Sequence, residues 1–531
     1  MEELNRGGFA EPGPMARAPA SAAASPRSQL PTQAELDQAD SEPGQWLTYN
    51  KGYLGFRYSK LTQINTGNAQ NLQQICAFPL GEKGSFQNGP IVYDGMLYTT
   101  SGWATIAIDG ATCEKRWEYR YKPNPFDANN KGAVIAGGRV IRGMPDGHLI
   151  ALDAKTGALL WQRQIMDAAK GEFATAAPLV WNDTVFIGKA GADVGIRGEM
   201  MAFRAFDGEK VWGFHTVPAP GEVGSDTWKD PPSIEHGGGS TWTSYSLDPV
   251  AGLLLVPVGN PGPDFAAEVR PGGNLFTNAL IALDARTGQL RWWHQLVASD
   301  DRDWDTSVAT AFDATDGSKL AAAAGKDGVL HVVDRATGML RYTVPLVSQY
   351  LNTTTPIPGG AGIRLCPIAA VQWNGPAYSP DTNLIYMNGI DWCAQAIKGP
   401  IPVYKEGKPY LGWANGYGTR DPIEQAFGWV NAVDAATGQV KWRYRMPSLP
   451  LGAVTATGGG LVMTGEINGD FTILDAATGT VVYQGNVGGA IGGGVITYEA
   501  GGKQLIAIAA GDNNPTYKTK GENQIVVLGL P

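Results

Sequence analysis

One pattern of apolar and polar positions recurs along the chain. An aliphatic pair is followed by Asp, two residues, Thr-Gly, three residues and then Trp or Tyr. It reads IAIDGATCEKRW to Trp117, IALDAKTGALLW to Trp161, IALDARTGQLRW to Trp292 and HVVDRATGMLRY to Tyr342. It returns as NAVDAATGQVKW to Trp442 and TILDAATGTVVY to Tyr483, with a weaker copy, FRAFDGEKVW, to Trp212. Each copy predicts strand, tight turn, strand. The apolar pair suits a half-buried strand, Asp and Thr bond turn backbone groups, and Gly accepts a positive φ. The aromatic residue then opens the next strand. Upstream, segments such as GPIVYDGMLYTT and GGLVMTGEINGDFTIL add a further strand pair.

Four short strands per unit, repeated radially, predict an all-β propeller of four-stranded antiparallel blades. Residues 45–531, at roughly 60 residues per blade, favour eight blades over seven. The intervals from Trp212 to Trp292 and from Tyr342 to Trp442 each have room for a degenerate unit. Recurring large aromatics at one place in each unit are expected to pack between blades, and Trp117, Trp161, Trp292 and Trp442 are read so.

Residues 1–44 break the pattern. They carry Pro12, Pro14, Pro19, Pro26, Pro31 and Pro43 among Ala, Ser and Gly, and almost no large apolar side chain. Such a segment buries too little surface to offset its ordering entropy and is expected to be a disordered tail. The start, Met1-Glu2-Glu3-Leu4-Asn5, does not read as a signal peptide, which needs a basic start and an apolar run.

Composition sharpens the class. The chain holds 71 Gly in 531 residues, about twice the usual share. A net charge of -9 argues against nucleic acid as a partner, because phosphates call for a basic face. No apolar stretch reaches the ~18 residues of a spanning helix, so no membrane span is expected. Four widely spaced cysteines, Cys76, Cys113, Cys366 and Cys393, include no C-x-x-C. They offer neither a zinc ribbon nor a haem attachment site, and fit either two disulfides or four buried thiols.

Function is sought where the copies diverge. Five segments rich in polar and small residues stand out: GKAGADVGIRGEM (188–200), HGGGSTWTSYSLDP (236–249), VGNPGPDFAAEVRPGGN (258–274), SDDRDWDTSVAT (299–310) and LCPIAAVQWNGPAYSP (365–380). The GADVGIRG, GGGSTW, GNPGP and DWD segments, in this order and spacing, resemble the quinoprotein alcohol dehydrogenases. So do the opening WLTYNKGYLGFRYSKLTQIN and the closing repeat. The resemblance covers nearly everything after residue 44 and implies an eight-bladed propeller with pyrroloquinoline quinone (PQQ) and a divalent metal on its axis.

The resemblance implies roles for particular residues. Asp193 occupies the position of a metal-ligand carboxylate that is Glu in many members. Asn260 matches a second ligand through its side-chain oxygen. Trp242 matches the floor on which the quinone rests, with Gly237 to Gly239 allowing close backbone approach. Thr175, Ala190, Gly191, Gln87 and Asn374 fall at cofactor-contact positions. Lys131 and Lys326 stand where Arg is common, suited to a quinone carboxylate and to the charge that develops on reduction. Asp305, which directly follows Trp304, is the implied catalytic base and a third metal ligand, with Asp303 as its rival. Hard oxygen donors favour Ca²⁺. Ser307 stands where lanthanide-using members tend to carry Asp, which also favours Ca²⁺.

Departures from the family accompany these matches. The segment FDANNKG (126–132) lacks the adjacent cysteines that close a ring over the quinone in many members. A tryptophan often near the quinone is also missing, with Pro450 and Asp512-Asn513-Asn514 in the corresponding regions. The resemblance implies disulfides Cys76–Cys113 and Cys366–Cys393 and hence a periplasmic or secreted protein. His236 is expected to be structural. No haem site follows the propeller, so electrons are expected to pass to a separate acceptor such as a cytochrome c. The resemblance implies an alcohol as substrate. Trp228, Tyr404, Tyr410, Trp413 and Tyr417, in two segments expected to roof the pocket, hint at an apolar or bulky one. The alternative reading is a propeller without chemistry that serves as a binding or assembly scaffold.

Overall fold

The computed structural model describes residues 30–121, 129–412 and 418–531. Their regular structure is almost entirely short strands. Among the described residues the strands form seven four-stranded sheets, one five-stranded sheet and one three-stranded sheet. A representative sheet runs Val134–Ala136, Arg139–Gly143, His148–Asp153 and Leu159–Gln164, each strand antiparallel to the next. Its first strand is wholly buried, while its last carries exposed residues on either side of buried Trp161. The first strands of neighbouring sheets touch: Ile91–Tyr93 meets Val134–Ala136, which meets Leu179–Trp181. The same succession links Ser246–Asp248, Thr310–Asp313, Ala377–Ser379, Thr455–Thr457 and Val495–Ala500. The sheets are therefore arranged radially, buried strands inward and amphipathic strands outward.

The repeated pattern shows how adjacent sheets lock. Trp117 Nε1 donates to the carbonyl of Ala154 in the turn of the following sheet, at 3.0 Å. Trp161 donates likewise to Ala205, Trp212 to Ala285, Trp292 to Arg335 and Trp442 to Ala476. Tyr342 uses its hydroxyl on Ala435. The turn's glycine lies against the same ring. A Cβ on Gly338 would sit 2.5 Å from Trp292 Cε3, and one on Gly157 2.5 Å from Trp117 Cε3. These glycines are also at positive φ, 72° for both Gly157 and Gly338, so the residue serves the turn and the docking together. Within the turn the aspartate accepts two backbone N–H groups, as Asp153 Oδ1 does from Lys155 and Thr156. The recurring tryptophans are thus packing residues between sheets, as read from the sequence.

In the first copy Cys113 replaces the glycine. It takes φ 61° and is disulfide-bonded to Cys76. The other disulfide joins Cys366 to Cys393, and among the described residues no cysteine is unbridged. Both pairings agree with those the resemblance implied.

Two expectations are corrected. Among the described residues the long intervals hold no degenerate unit. The stretch between Trp212 and Trp292 is one ordinary sheet, Ser246–Asp248 to Leu290–Gln295, with long loops. The stretch before Trp442 contains the three-stranded insert of Ile363–Leu365, Ala394–Ala396 and Thr419–Arg420. The remaining four-stranded sheet lies at the chain's end. Val495–Ala500, Lys503–Ala510 and Gln524–Gly529 take Gln73–Pro79 from near the N-terminus as their outer strand, which closes the ring without the repeated pattern.

The expectation of disorder is corrected for residues 30–44, which pack on the propeller. A short helix, Gln33–Asp37, is capped by Thr32 and Glu35 and buries Leu36. Buried Lys51 donates to the carbonyls of Ala39 and Glu42 at 2.6 and 2.5 Å. A few well-placed side chains and backbone acceptors suffice, where composition alone suggested disorder. Residues 1–29 lie outside the described residues.

Candidate active site

The divergent segments converge. Arg197 of GADVGIRG bridges Gly238 of GGGSTW, and Gly238 bridges Pro261 of GNPGP. Gly239 N donates to Asn260 O and Thr241 N to Lys189 O, both at 2.8 Å. Gly238 and Gly239 adopt φ of 72° and 69°. A Cβ on Gly238 would lie 2.7 Å from Asn260 O. Only bare backbone lets these three loops approach so closely.

Trp242 faces a cavity of 330 Å³. Two lysines sit over its ring, Lys131 Nζ at 4.5 Å and Lys326 Nζ at 5.7 Å from the centroid. Lys131 is fully buried, and its Nζ has no hydrogen-bond partner among the described residues. Burial lowers its pKa to about 7, against the opposing charge of Asp305. A buried ammonium without an acceptor is costly, so this position is built for an anionic group. Thr175 connects the two residues. Its Oγ1 donates to Trp242 O at 2.7 Å, and its carbonyl accepts Lys131 N at 2.9 Å.

The acidic loop at 299–310 separates its carboxylates by task. Asp300 accepts the backbone N–H groups of Arg302 and Trp304, which shapes the turn. Asp301 pairs with Arg302. Asp303 accepts Lys326 Nζ through both oxygens at 2.9 Å and lines the cavity. Asp305 lies deeper. Its Oδ1 accepts Asn260 N at 2.8 Å and its Oδ2 lies 2.6 Å from Lys326 Nζ. Lys326 N also donates to Asp305 O at 3.0 Å, so backbone and side chain fix the pair.

Asp193 is the middle residue of a short turn, Ala192–Val194, and its carbonyl accepts Tyr410 N at 2.7 Å. Its side chain is exposed and lines the cavity. Enclosure by protein raises its pKa, Lys326 opposes this, and the charge of Asp305 adds to it. Among the described residues no three His, Cys, Asp or Glu side chains are disposed to hold a metal ion by themselves. A cation here would rest on Asp193, Asp305 and the amide oxygen of Asn260, completed by donors from a bound cofactor. Ser307 is committed elsewhere, donating to Ala324 O at 2.9 Å.

Of the residues given roles from the sequence, Gln87, Asp193, Trp242 and Lys326 line the cavity directly, as does Asp303, the rival base. Lys131, Thr175, Asn260 and Asp305 stand behind them through the contacts above. Ala190 and Gly191 are backbone supports. Ala190 N donates to Phe173 O, and Gly191 at φ 121° leaves no room for a side chain beside Gly171 O. Asn374 is not brought to this cavity. It accepts Tyr49 OH and donates to Leu451 O, both inside the core, and lines a separate small void.

The aromatic roof is also placed differently from the expectation. Trp228 packs with Val217 and Ile234 and donates to Leu275 O. Tyr404 stacks on His236 at 3.5 Å, and Tyr410 meets both edge-on. His236 Nδ1 lies 3.2 Å from Gly195 O, so this trio clamps the Asp193 loop and His236 is structural. Trp413, Tyr417 and the first three residues of FDANNKG lie outside the described residues.

Residues the motifs did not single out complete the wall. They include Asp264, Phe265, Gln372, Trp373, Arg420 and Tyr517. Asp264 follows GNPGP directly, and that position was its only signal. The region of Asp512 contributes Tyr517, which meets Trp373 edge-on and Trp392 at a tilt. Buried Arg270 ties the loops together, donating to Pro263 O, Asn274 Oδ1 and Asp300 O.

The sequence profile described as "Glucose/ethanol/alcohol dehydrogenase, beta-propeller domain", named PQQ, matches residues 46–360. The chain belongs to the PQQ-dependent quinoprotein alcohol dehydrogenase family. Within this family it is similar to the quinoprotein alcohol dehydrogenase PedH of Pseudomonas putida, 29% identical over 90% of this chain and 88% of that one. It is 30% identical to a lanthanide-dependent methanol dehydrogenase of Methylacidiphilum fumariolicum, over 90% and 86% of the two chains. Among solved structures it resembles the quinohemoprotein alcohol dehydrogenase ADHIIG of Pseudomonas putida, with TM-score 0.84 and 26% identity over 94% of this chain and 82% of that one. A europium-containing methanol dehydrogenase gives TM-score 0.83 and 27% identity, over 94% and 100%. A second profile, described as Outer membrane protein assembly factor BamB, matches residues 426–527. Among the described residues of this family member no helix is long and apolar enough to cross a membrane.

Proposed function

We propose that the chain is a PQQ- and Ca²⁺-dependent dehydrogenase that oxidises an alcohol to an aldehyde or ketone on an eight-bladed propeller. The carrying observation is the linked set around one cavity: Lys131 and Lys326 over Trp242, and Lys326 and Asn260 both bonded to Asp305. A scaffold has no need of a buried lysine without an acceptor beside an aromatic floor. The eight-blade reading rests on seven sheets that end in the repeated pattern and on the chain-end sheet that takes Gln73–Pro79.

When bound, PQQ would supply a hydride-accepting quinone, and a divalent cation beside it would act as a Lewis acid. The protein supplies the rest. Trp242 gives the ring a flat floor, and Lys131 and Gln87 offer buried groups without partners for its polar edge. Asp305 takes the alcohol's hydroxyl proton as the C–H pair leaves with its two electrons and the carbonyl forms. Positioned base catalysis of this kind contributes roughly 10²–10⁴-fold. Lys326, bonded to Asp303 and Asp305, holds that carboxylate in place and offers positive charge to the developing oxyanion. Asp193, Asn260 and Asp305 would hold Ca²⁺. The engaged Ser307 hydroxyl supports calcium over a lanthanide. Electrons pass to a separate acceptor such as a cytochrome c. Two disulfides support export to an oxidising compartment such as the periplasm.

The test is reconstitution. Purified protein is given PQQ and Ca²⁺, and dye reduction is followed over primary, secondary and bulky alcohols. Turnover that needs both additions is expected. Absence of PQQ binding with every metal tried would overturn the proposal in favour of a scaffold.

A further inference from the structure

One wall residue has no part in the chemistry above. Asp264 lines the cavity, is only 2% exposed, and among the described residues its Oδ1 is buried without a hydrogen-bond partner. Its place is fixed, because Arg270 donates to the carbonyls of Pro263 and Asp264 on either side of its Cα. A carboxyl turns readily about its last torsion, so either oxygen can face the cavity. A buried acceptor left without a donor is costly, and an incoming donor recovers that cost.

The chemistry of that donor follows from the neighbours. Lys326 and Arg420 line the same cavity as Asp193 and Asp303, and Lys326 is paired with Asp303 and Asp305, so the wall already carries both signs of charge. A neutral hydroxyl can donate to the Asp264 carboxylate without adding a charge to the cavity. Gln372, Asn514 and Thr516 add neutral polar groups to the wall. We propose that Asp264 anchors a second hydroxyl of the substrate, one that is not oxidised, and that the enzyme is selective for diols and polyols over simple alcohols. This rests on the dehydrogenase reading and names its substrate class. It replaces the apolar or bulky alcohol suggested by the roof aromatics, since Trp228, Tyr404 and Tyr410 pack away from the cavity.

Selectivity arises because a site built to bond a hydroxyl leaves its own polar group unpaired when the analogue lacks one. The experiment compares kcat/KM for 1,2-propanediol and 1-propanol in the PQQ- and Ca²⁺-loaded protein, its Asp264→Leu variant and its Asp264→Asn variant. The wild type is expected to prefer the diol by about ten-fold or more. Asp264→Leu brings the ratio close to one, and Asp264→Asn, which keeps an acceptor, retains part of it. A wild-type ratio near one, or an unchanged ratio in the leucine variant, overturns the inference while leaving the dehydrogenase reading intact. Turnover of neither alcohol overturns that reading instead. Saturation-transfer NMR of glycerol on the same proteins then decides the Asp264 contact without turnover. Transfer that falls several-fold in Asp264→Leu supports the anchor, and equal transfer overturns it.

Discussion

Lys326 Nζ lies 2.6 Å from Asp305 Oδ2, and Lys326 N donates to the carbonyl of the same aspartate. One residue of the GKDG turn thus fixes both backbone and side chain of the proposed base, while Asn260 N holds its other oxygen. Removing the proton-accepting ability without removing the shape is the direct probe. Asp305→Asn is expected to keep PQQ, seen in its visible absorbance, and to lose turnover by about 10² or more. Asp303→Asn, made beside it, is expected to lose less. The reverse order would transfer the base to Asp303, which lies nearer the cavity.

Gly259 sets the position of that carboxylate from behind. A Cβ there would overlap Asp305 Oδ1. Gly259→Ala is therefore expected to push Asp305 off the Asn260 N–H and lower kcat by about ten-fold or more, because small displacements of a reacting group are costly. Steady-state kinetics beside a thermal melt would separate misplacement from unfolding. An unchanged kcat would mean that the carboxylate position is not critical.

Between sheets, Trp292 and Gly338 form the docking pair, with the indole bonded to Arg335 O. Trp292→Ala is expected to destabilise by about 3–5 kcal/mol. Gly338→Ala adds a clash with the ring to an unfavourable positive φ and is expected to cost about 1–3 kcal/mol. In the double variant the clash is gone, so the losses should fall short of additive. Chemical denaturation of the four proteins measures this. Strict additivity would show that the pair does not interact.

Glu466 gives a pH signature far from the chemistry. It is buried, its Oε1 lacks a partner, and Ser448 N donates to its Oε2. Burial pushes its pKa from 4.5 to about 7. The Ser448 bond opposes this, and the charge of Asp470 adds to it. The folded state therefore keeps a proton that the unfolded state releases above pH 4.5. Stability is full below that pH and declines as pH rises through 7. Glu466→Gln mimics the protonated acid and is expected to stabilise by on the order of 2 kcal/mol at pH 8, with no gain at pH 4. Melts at both pH values provide the check. Equal effects would mean that ionisation is not responsible.

Much of the architecture was legible because the repeated pattern encodes it locally. Asp, Thr and Gly make the turn, and the aromatic four residues after the Gly meets the next copy of that turn. Where the pattern is absent, the reading failed. The chain-end sheet is assembled from residues 73–79 and 495–529, which no local pattern joins. Residues 30–44 resemble a linker in composition, yet Leu36 and the backbone around Ala39 find partners on the propeller.

The candidate site divides in the same way. The sequence by itself determined which residue types were present and, through motif order, that Asp193, Trp242, Asn260, Asp305 and Lys326 belong together. Side-chain direction and exposure depend on contacts between loops far apart in the chain, and only the tertiary structure decided those. It turned Asn374 into the core, folded Tyr404 and Tyr410 onto His236, and left Asp264 on the cavity wall. The physical reason is that hydrogen-bond satisfaction and packing are settled among all neighbours at once, and those neighbours are assembled only when the ring closes.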